Sequence, residues 1–228
     1  MIDNLPRATA LLFDMDGVLI DSEIAHKRAK EQAFRRFGIE LSDSIYSSYV
    51  GRPDATMIDE ILHQRNESYI TINEILAIKN QLFLCELEGN IHPISGAIEF
   101  LRWAASRYRI ALATSAAPAV RAASLTMFGV DANLFEVIVD SSQVTLPKPH
   151  PEVFLKAAAG LGVSARECWV IEDSLNGIRA AKSAGCVAVG LTTTFDAAHL
   201  SNGGADIVAS DFSQIRTALG DCGQRRHE

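Results

Sequence analysis

Five short, wholly apolar runs punctuate the chain, Ala10–Phe13, Ile110–Ala113, Val137–Val139, Cys168–Ile171 and Val187–Val189, with a weaker one at Ile207–Ala209. Each is too short to be a helix core and lacks the polar alternation of a half-exposed strand, so each reads as a strand covered on both faces. Between them, Ser95–Ser106, Pro118–Phe128, Glu152–Leu161 and Leu175–Ser183 carry apolar residues at helical spacing. Glycines at 129, 162 and 185 punctuate the ends of the last three or the turns that follow. Strands alternating with helices predict an α/β fold, a doubly wound, Rossmann-like parallel sheet with helices on both faces.

The alternation breaks between Ser22 and about His92. Glu23–Phe37, Ala55–Gln64 and Asn73–Glu88 have apolar residues three and four apart and no strand pattern intervenes, which predicts an inserted α-helical bundle. The boundaries read as a core of residues 1–20 and 93–228 with an inserted cap of residues 21–92. Gly51-Arg52-Pro53 and His92-Pro93 are loop signals, the second a hinge back into the core, and the polar tail from Gly220 to Glu228 reads as frayed.

Forty-eight per cent hydrophobic and 21% charged residues are enough for a sizeable core, and the net charge of −7 disfavours a nucleic-acid or anionic membrane partner. Cys85, Cys168, Cys186 and Cys222 form no CxxC pair and no regular spacing, so they read as reduced thiols. Asp3 and Arg7 interrupt any apolar leader, and no run is long enough to span a bilayer. The expectation is a cytoplasmic protein, a monomer or weak homodimer, with no membrane or nucleic-acid partner.

Ligands of a doubly wound sheet sit beyond the carboxyl ends of its strands. The first run is followed by Asp14-Met15-Asp16-Gly17. In extended chain Asp14 and Asp16 share a face, and two carboxylates that close need a compensating cation. Gly17 permits a sharp exit from the strand. The second strand ends in Thr114 and Ser115, the loop after the third holds Lys148 between Pro147 and Pro149, and the fourth ends in Glu172 and Asp173. Acids, hydroxyls and one fixed lysine describe a magnesium-dependent phosphoryl-transfer site: oxygen ligands suit Mg²⁺, and hydroxyls and lysine suit phosphate oxygens.

In these motifs the chain resembles the haloacid dehalogenase superfamily, in the branch that includes β-phosphoglucomutase and phosphoglycolate phosphatase. The pattern DxDGV(L/I)xDS stands at Asp14 to Ser22, the Thr/Ser at Thr114, the loop lysine at Lys148, and the acidic pair at Glu172-Asp173, followed by Ser174-Leu175-Asn176-Gly177. The resemblance implies that Asp14 attacks phosphorus to give an aspartyl-phosphate, and that Asp16 protonates the leaving oxygen and then activates water. It implies that Asp14, Asp173 and the Asp16 carbonyl hold Mg²⁺ with Glu172 close by, and that the helical insert is a cap. Gly17, Thr114, Ser115 and Lys148 would contact phosphate. His26, Arg52 and Lys79 are cap candidates for the substrate; His26 and Arg52 read equally well as solvated surface residues, and Lys79 reads more readily as a solvated helix lysine.

The function expected is hydrolysis of a small phosphorylated metabolite, a sugar or polyol phosphate. The alternative is a phosphomutase of the β-phosphoglucomutase type. One departure favours the phosphatase: where the mutase branch has a cap-loop arginine, this chain has Asp54, with Arg52 displaced from that place. Inorganic pyrophosphate and phosphoglycolate are further candidate substrates. A non-catalytic phosphate receiver is the reading from another class, and Asp16 argues against it, because a receiver needs no second acid beside its phosphorylated one.

Overall fold

The structure, a computed structural model, describes residues 5–49, 53–87 and 91–223. The chain divides into two compact units, Met1–Asp21 with His92–Glu228, and Ser22–Ile91. The strands of the larger unit are β1 (Ala10–Phe13), β2 (Ile20–Asp21), β3 (His92–Pro93), β4 (Arg109–Ala113), β5 (Val137–Val139), β6 (Cys168–Glu172), β7 (Val187–Leu191) and β8 (Ile207–Ala209). Six of them form one sheet in the order β5-β4-β1-β6-β7-β8, and every neighbouring pair is parallel. The chain builds outward from β1 in one direction through β4 and β5, then in the other through β6, β7 and β8. The order therefore reverses at β1, and crevices open at the carboxyl ends of β1 and its neighbours. The short β2 and β3 pair antiparallel, Ile20 with Pro93 and Asp21 with His92. Neither has a readable strand pattern, since two residues carry no periodicity.

The smaller unit holds α1 (Glu23–Arg35), α2 (Asp43–Tyr49), α3 (Asp54–Arg65) and α4 (Ile72–Glu86). Ala33, Phe34, Ile39, Met57, Ile58, Ile61, Leu62 and Ile75 form its core. Thr71 and Glu74 close a capping box at the start of α4: Glu74 N donates to Thr71 Oγ1 at 3.2 Å, and Thr71 N donates to Glu74 Oε2 at 2.8 Å. The α2 segment, Asp-Ser-Ile-Tyr-Ser-Ser-Tyr, is too short and serine-rich to show a helical stripe, and no helix is expected there from sequence.

Both faces of the sheet are covered, which is why its strands read as unbroken apolar runs. Six further helices follow in the larger unit: α5 (Ala97–Ala105), α6 (Pro118–Met127), α7 (Glu152–Gly160), α8 (Leu175–Ala184), α9 (Ala197–Asn202) and α10 (Phe212–Gly223). Ala10, Leu12, Ala111, Val170 and Ala188 share one face with Phe154 and Ala157 of α7, Ile178 of α8 and Leu200 of α9. Phe13 points the other way and meets Phe100 of α5 edge-on at 6.0 Å, and Phe100 packs on Phe212 of α10 at 4.9 Å. The last helix is a departure from the expected frayed tail. Residues 220–223 complete α10, and residues 224–228 lie outside those described. Phe212, Ile215 and Leu219 are its buried stripe. Among the described residues no helix is long and apolar enough to cross a membrane.

One buried charge cluster lies within the helical unit. Asp54, in the first turn of α3, receives Lys30 Nζ on Oδ1 at 2.8 Å and Lys79 Nζ on Oδ2 at 2.9 Å. Burial alone would raise the Asp54 carboxyl, but Lys30 and Lys79 outweigh it and hold the group far below the usual range. A carboxyl lowered on folding stabilises the fold above its unfolded value near 4 and loses that contribution on acidification. Asp54→Ala is therefore expected to cost about 2 kcal/mol at neutral pH, less than for a fully buried pair because Asp54 is a quarter exposed. Urea unfolding at neutral and acid pH measures this, and the difference from the parent should shrink on acidification.

Candidate active site

β1 delivers Asp14 directly. Its backbone N–H continues the sheet by donating to Ile171 O at 3.1 Å, and the chain then leaves in a tight loop in which Gly17 N donates to Ile20 O at 2.7 Å. Gly17 sits at φ +73°, where a side chain is strained, and a Cβ there would lie 1.9 Å from Asp173 Oδ2. Glycine is thus required twice, for the turn and for the approach of a carboxylate from β6. That second reason differs from the phosphate contact expected of Gly17.

Lys148 is buried among three oxygens. Its Nζ lies 2.7 Å from Glu172 Oε1, 3.0 Å from Asp14 Oδ1 and 3.2 Å from Ala113 O, and it also lies over the Phe154 ring. The lysine loop is held from outside the site: Glu152 Oε2 accepts Thr145 N at 3.0 Å and Leu146 N at 2.8 Å. Burial works against the ammonium form, but Asp14 and Glu172 more than compensate, so Lys148 stays charged.

Glu172 and Asp173 are adjacent in sequence and differ in their surroundings. Glu172 is fully buried, and its oxygens are committed to protein donors: Lys148 on Oε1, and Asp173 N, Ser174 N and Ser174 Oγ on Oε2 at 3.1, 3.0 and 2.9 Å. A Cβ on Gly177 would lie 1.8 Å from its carboxyl carbon, so that glycine of the Ser-Leu-Asn-Gly stretch makes room for the carboxylate. The Thr194 side chain lies beside the Asp173 carboxylate and favours its charged form. Ligand oxygens of Asp14, Glu172 and Asp173 all fall within 4.8 Å of one another.

Such crowding is costly without a cation. Burial, followed by Glu172 and Asp16, pushes the Asp14 carboxyl up to about 7 against the pull of Lys148. Burial, Glu172 and Asp14 likewise raise Asp173 well above the carboxylate range. Asp14 Oδ1, buried and ion-paired with Lys148, makes no well-directed hydrogen bond. An incompletely satisfied acid cluster with one lysine for three acids fits an oxygen-seeking divalent cation.

The other expected residues divide by location. Thr114 is buried at the end of β4, with Thr114 N on Val139 O and Thr114 Oγ1 accepting Ala116 N at 3.0 Å; the second contact is a local cap of the following turn. Ser115 is exposed, and with Thr114, Ser141, Val144, Pro147, Lys148 and Val153 it lines a pocket of about 180 Å³. Asp16 is half-buried. His26 and Lys79 belong to the helical unit: His26 stacks on Phe83 at 4.1 Å, and Lys79 is buried against Asp54 and the Phe83 ring, not solvated on its helix. Arg52 and Gly51 lie outside the described residues. Sequence reasoning assigned no role to Gly177, Thr193 or Thr194. The glycine stood in the quoted motif, whereas threonines after a strand carry no signal of their own.

A parallel sheet with paired acids, a hydroxyl and a buried lysine at its carboxyl edge defines a hydrolase fold of a known kind. Residues 8–185 match the model of the haloacid dehalogenase-like hydrolases, and the chain belongs to that family. It is 33% identical over 208 residues to validoxylamine A 7'-phosphate phosphatase of Streptomyces hygroscopicus subsp. limoneus, covering 90% of this chain and 94% of that one. A variant of CbbY from Rhodobacter sphaeroides, solved with xylulose-(1,5)bisphosphate, superposes with a TM-score of 0.82 at 26% identity over 93% of this chain and 99% of that one. β-Phosphoglucomutase from Clostridium difficile gives 0.78 at 26% identity over 96% and 100%. The protein Suppressor of quenching 1, chloroplastic, of Arabidopsis thaliana is 30% identical over 93% of this chain, which spans 20% of that protein's length.

Carboxyls raised on folding bind more protons folded than unfolded, so they cost stability as pH rises from about 4 toward the folded value, about 7 for Asp14. Asp173→Asn removes part of that cost. The variant is expected to melt about 2–4 °C above the parent at about pH 7.5 in chelator, with the gap closing by about pH 4.5. Gly177→Ala should lower the melting temperature at both pH values, because Glu172 has nowhere to go.

Proposed function

We propose that this protein is a magnesium-dependent phosphatase that hydrolyses a small phosphorylated metabolite, a sugar or polyol phosphate, through an aspartyl-phosphate. The observation that carries the reading is the cluster of Asp14, Glu172 and Asp173 around buried Lys148. The relative named validoxylamine A 7'-phosphate phosphatase supports a small phosphorylated metabolite as the substrate class.

Asp14 is the nucleophile. Its carboxylate attacks phosphorus and the ester bond to the leaving alcohol breaks, while Asp16 gives that alcohol oxygen its proton. Asp16, now a carboxylate, takes a proton from the water that cleaves the aspartyl-phosphate, which restores Asp14 and releases inorganic phosphate. Splitting the displacement in two and using one group as acid and then base serves both halves. Lys148 holds Asp14 in place and offsets charge on the transferring group, and Thr114 and Ser115 receive phosphate oxygens. Asp14, Asp173 and the Asp16 carbonyl would hold Mg²⁺, while Glu172, saturated by protein donors, fixes Lys148 and the turn that presents Asp173. The ion would neutralise the acid cluster and the phosphate oxygens, which makes attack by one anion on another possible. His26, Lys79 and Arg52 of the inserted segment are the candidates for contacting the organic part of the substrate.

The similarity to a β-phosphoglucomutase favours one second reading, a mutase that returns the phosphoryl group to the sugar. Phosphorus NMR with Mg²⁺ and a panel of sugar and polyol phosphates, including β-glucose 1-phosphate, separates the two. Free phosphate is expected to accumulate; glucose 6-phosphate formed without free phosphate would make the protein a mutase. Asp14→Asn should cut turnover by more than about 1,000-fold and Asp16→Asn by about 100-fold or more. Near-parental turnover in Asp14→Asn would exclude the covalent route.

A further inference from the structure

The turn after β7 touches the acid cluster at two points that no motif of the family match explains. Thr193 Oγ1 donates to Gly17 O at 2.5 Å, across 176 residues of sequence, and the Thr194 side chain lies beside the Asp173 carboxylate and favours its charged form. The turn is itself tied into the sheet, with Thr192 N on Ala209 O and Thr193 N on Leu191 O, each near 3 Å. We propose that Thr193 and Thr194 are positioning residues that set the spacing of the acid cluster for its divalent cation, an inference that rests on the metal-dependent reading above.

Asp14 and Asp173 come from the ends of adjacent strands, and with their ligand oxygens within 4.8 Å of one another the two carboxylates repel. Repulsion of that kind is relieved by separating the two segments; β1–β6 pairing and Lys148 resist it, and so does the shape of the loop after β1 and of the turn after β6. The Gly17 peptide is the point of contact, since Asp173 occupies the space a Cβ would fill. That peptide is held on both sides, its N–H by Ile20 O and its carbonyl by Thr193. Thr194 lies beside the opposing carboxylate. One turn, anchored on β7 and β8, thereby holds both sides of the contact between β1 and β6. Groups that hold a metal ligand, or the backbone next to one, commonly govern affinity by 10-fold or more, because they set ligand orientation. Thr193 is exposed and Thr194 half-buried, so an isosteric change at either removes a hydroxyl without opening the core.

The test is isothermal titration of the substrate-free, full-length protein with Mg²⁺, alongside melting in chelator. Thr194→Val should weaken Mg²⁺ binding by about tenfold and Thr193→Val by several-fold, while Thr194→Ser and Thr193→Ser, which keep the hydroxyl, bind as the parent does. Melting temperatures in chelator should stay near the parent's. Parental Mg²⁺ affinity in both valine variants would overturn the proposal and leave the phosphatase reading standing, as would equal losses in the serine and valine variants. A parent that binds no Mg²⁺ would remove the metal-dependent reading and this inference with it.

Discussion

Lys148 is the charge on which the site depends. Its ammonium bridges the carboxylates at the ends of β1 and β6 and caps the last carbonyl of β4, so one buried cation ties three adjacent strands together at their carboxyl edge. Without it, two buried acids would face each other with nothing between them, a cost of several kcal/mol. Its pocket is completed by Phe154, whose ring lies under the ammonium, and by Glu152, which grips the loop two and three residues before it.

Around that lysine the two neighbouring acids are given opposite environments by ordinary means. Glu172 ends a strand and points where backbone N–H groups and a serine converge, so its charge is spent inside the protein. Asp173, one residue on, lies over a glycine that makes room for it. Pleat alternation turns consecutive residues to different sides, and the difference in role follows from the difference in surroundings.

The sheet, its strands and the four motif positions were legible because they rest on rules that act locally: apolar runs for strands buried on both faces, and polar residues only where strands end. What escaped was either too short to have a period, as with β2, β3 and α2, or defined by distant pairing. Gly177 beside Glu172 and Thr193 on Gly17 are contacts between segments that the sequence holds apart, and a threonine following a strand looks like any turn residue. Lys79 shows the same limit in the helical unit. Its spacing marks a helix and says nothing of Asp54, which turns an expected solvated lysine into a buried ion pair.

The two-residue ribbon of β2 and β3 has an effect out of proportion to its size. The helical segment leaves the larger unit at Asp21 and returns at His92, and those two residues are paired in register. The ends of a long excursion are thus pinned within one strand spacing of each other. The entropy of closing it is met at a fixed pair of residues and grows only with the logarithm of the length between them. Residues 22–91 can therefore lengthen, shorten or be rebuilt while the sheet and its acids keep their register. A lineage built on this arrangement can change what its inserted helices present without remaking the centre that does the chemistry.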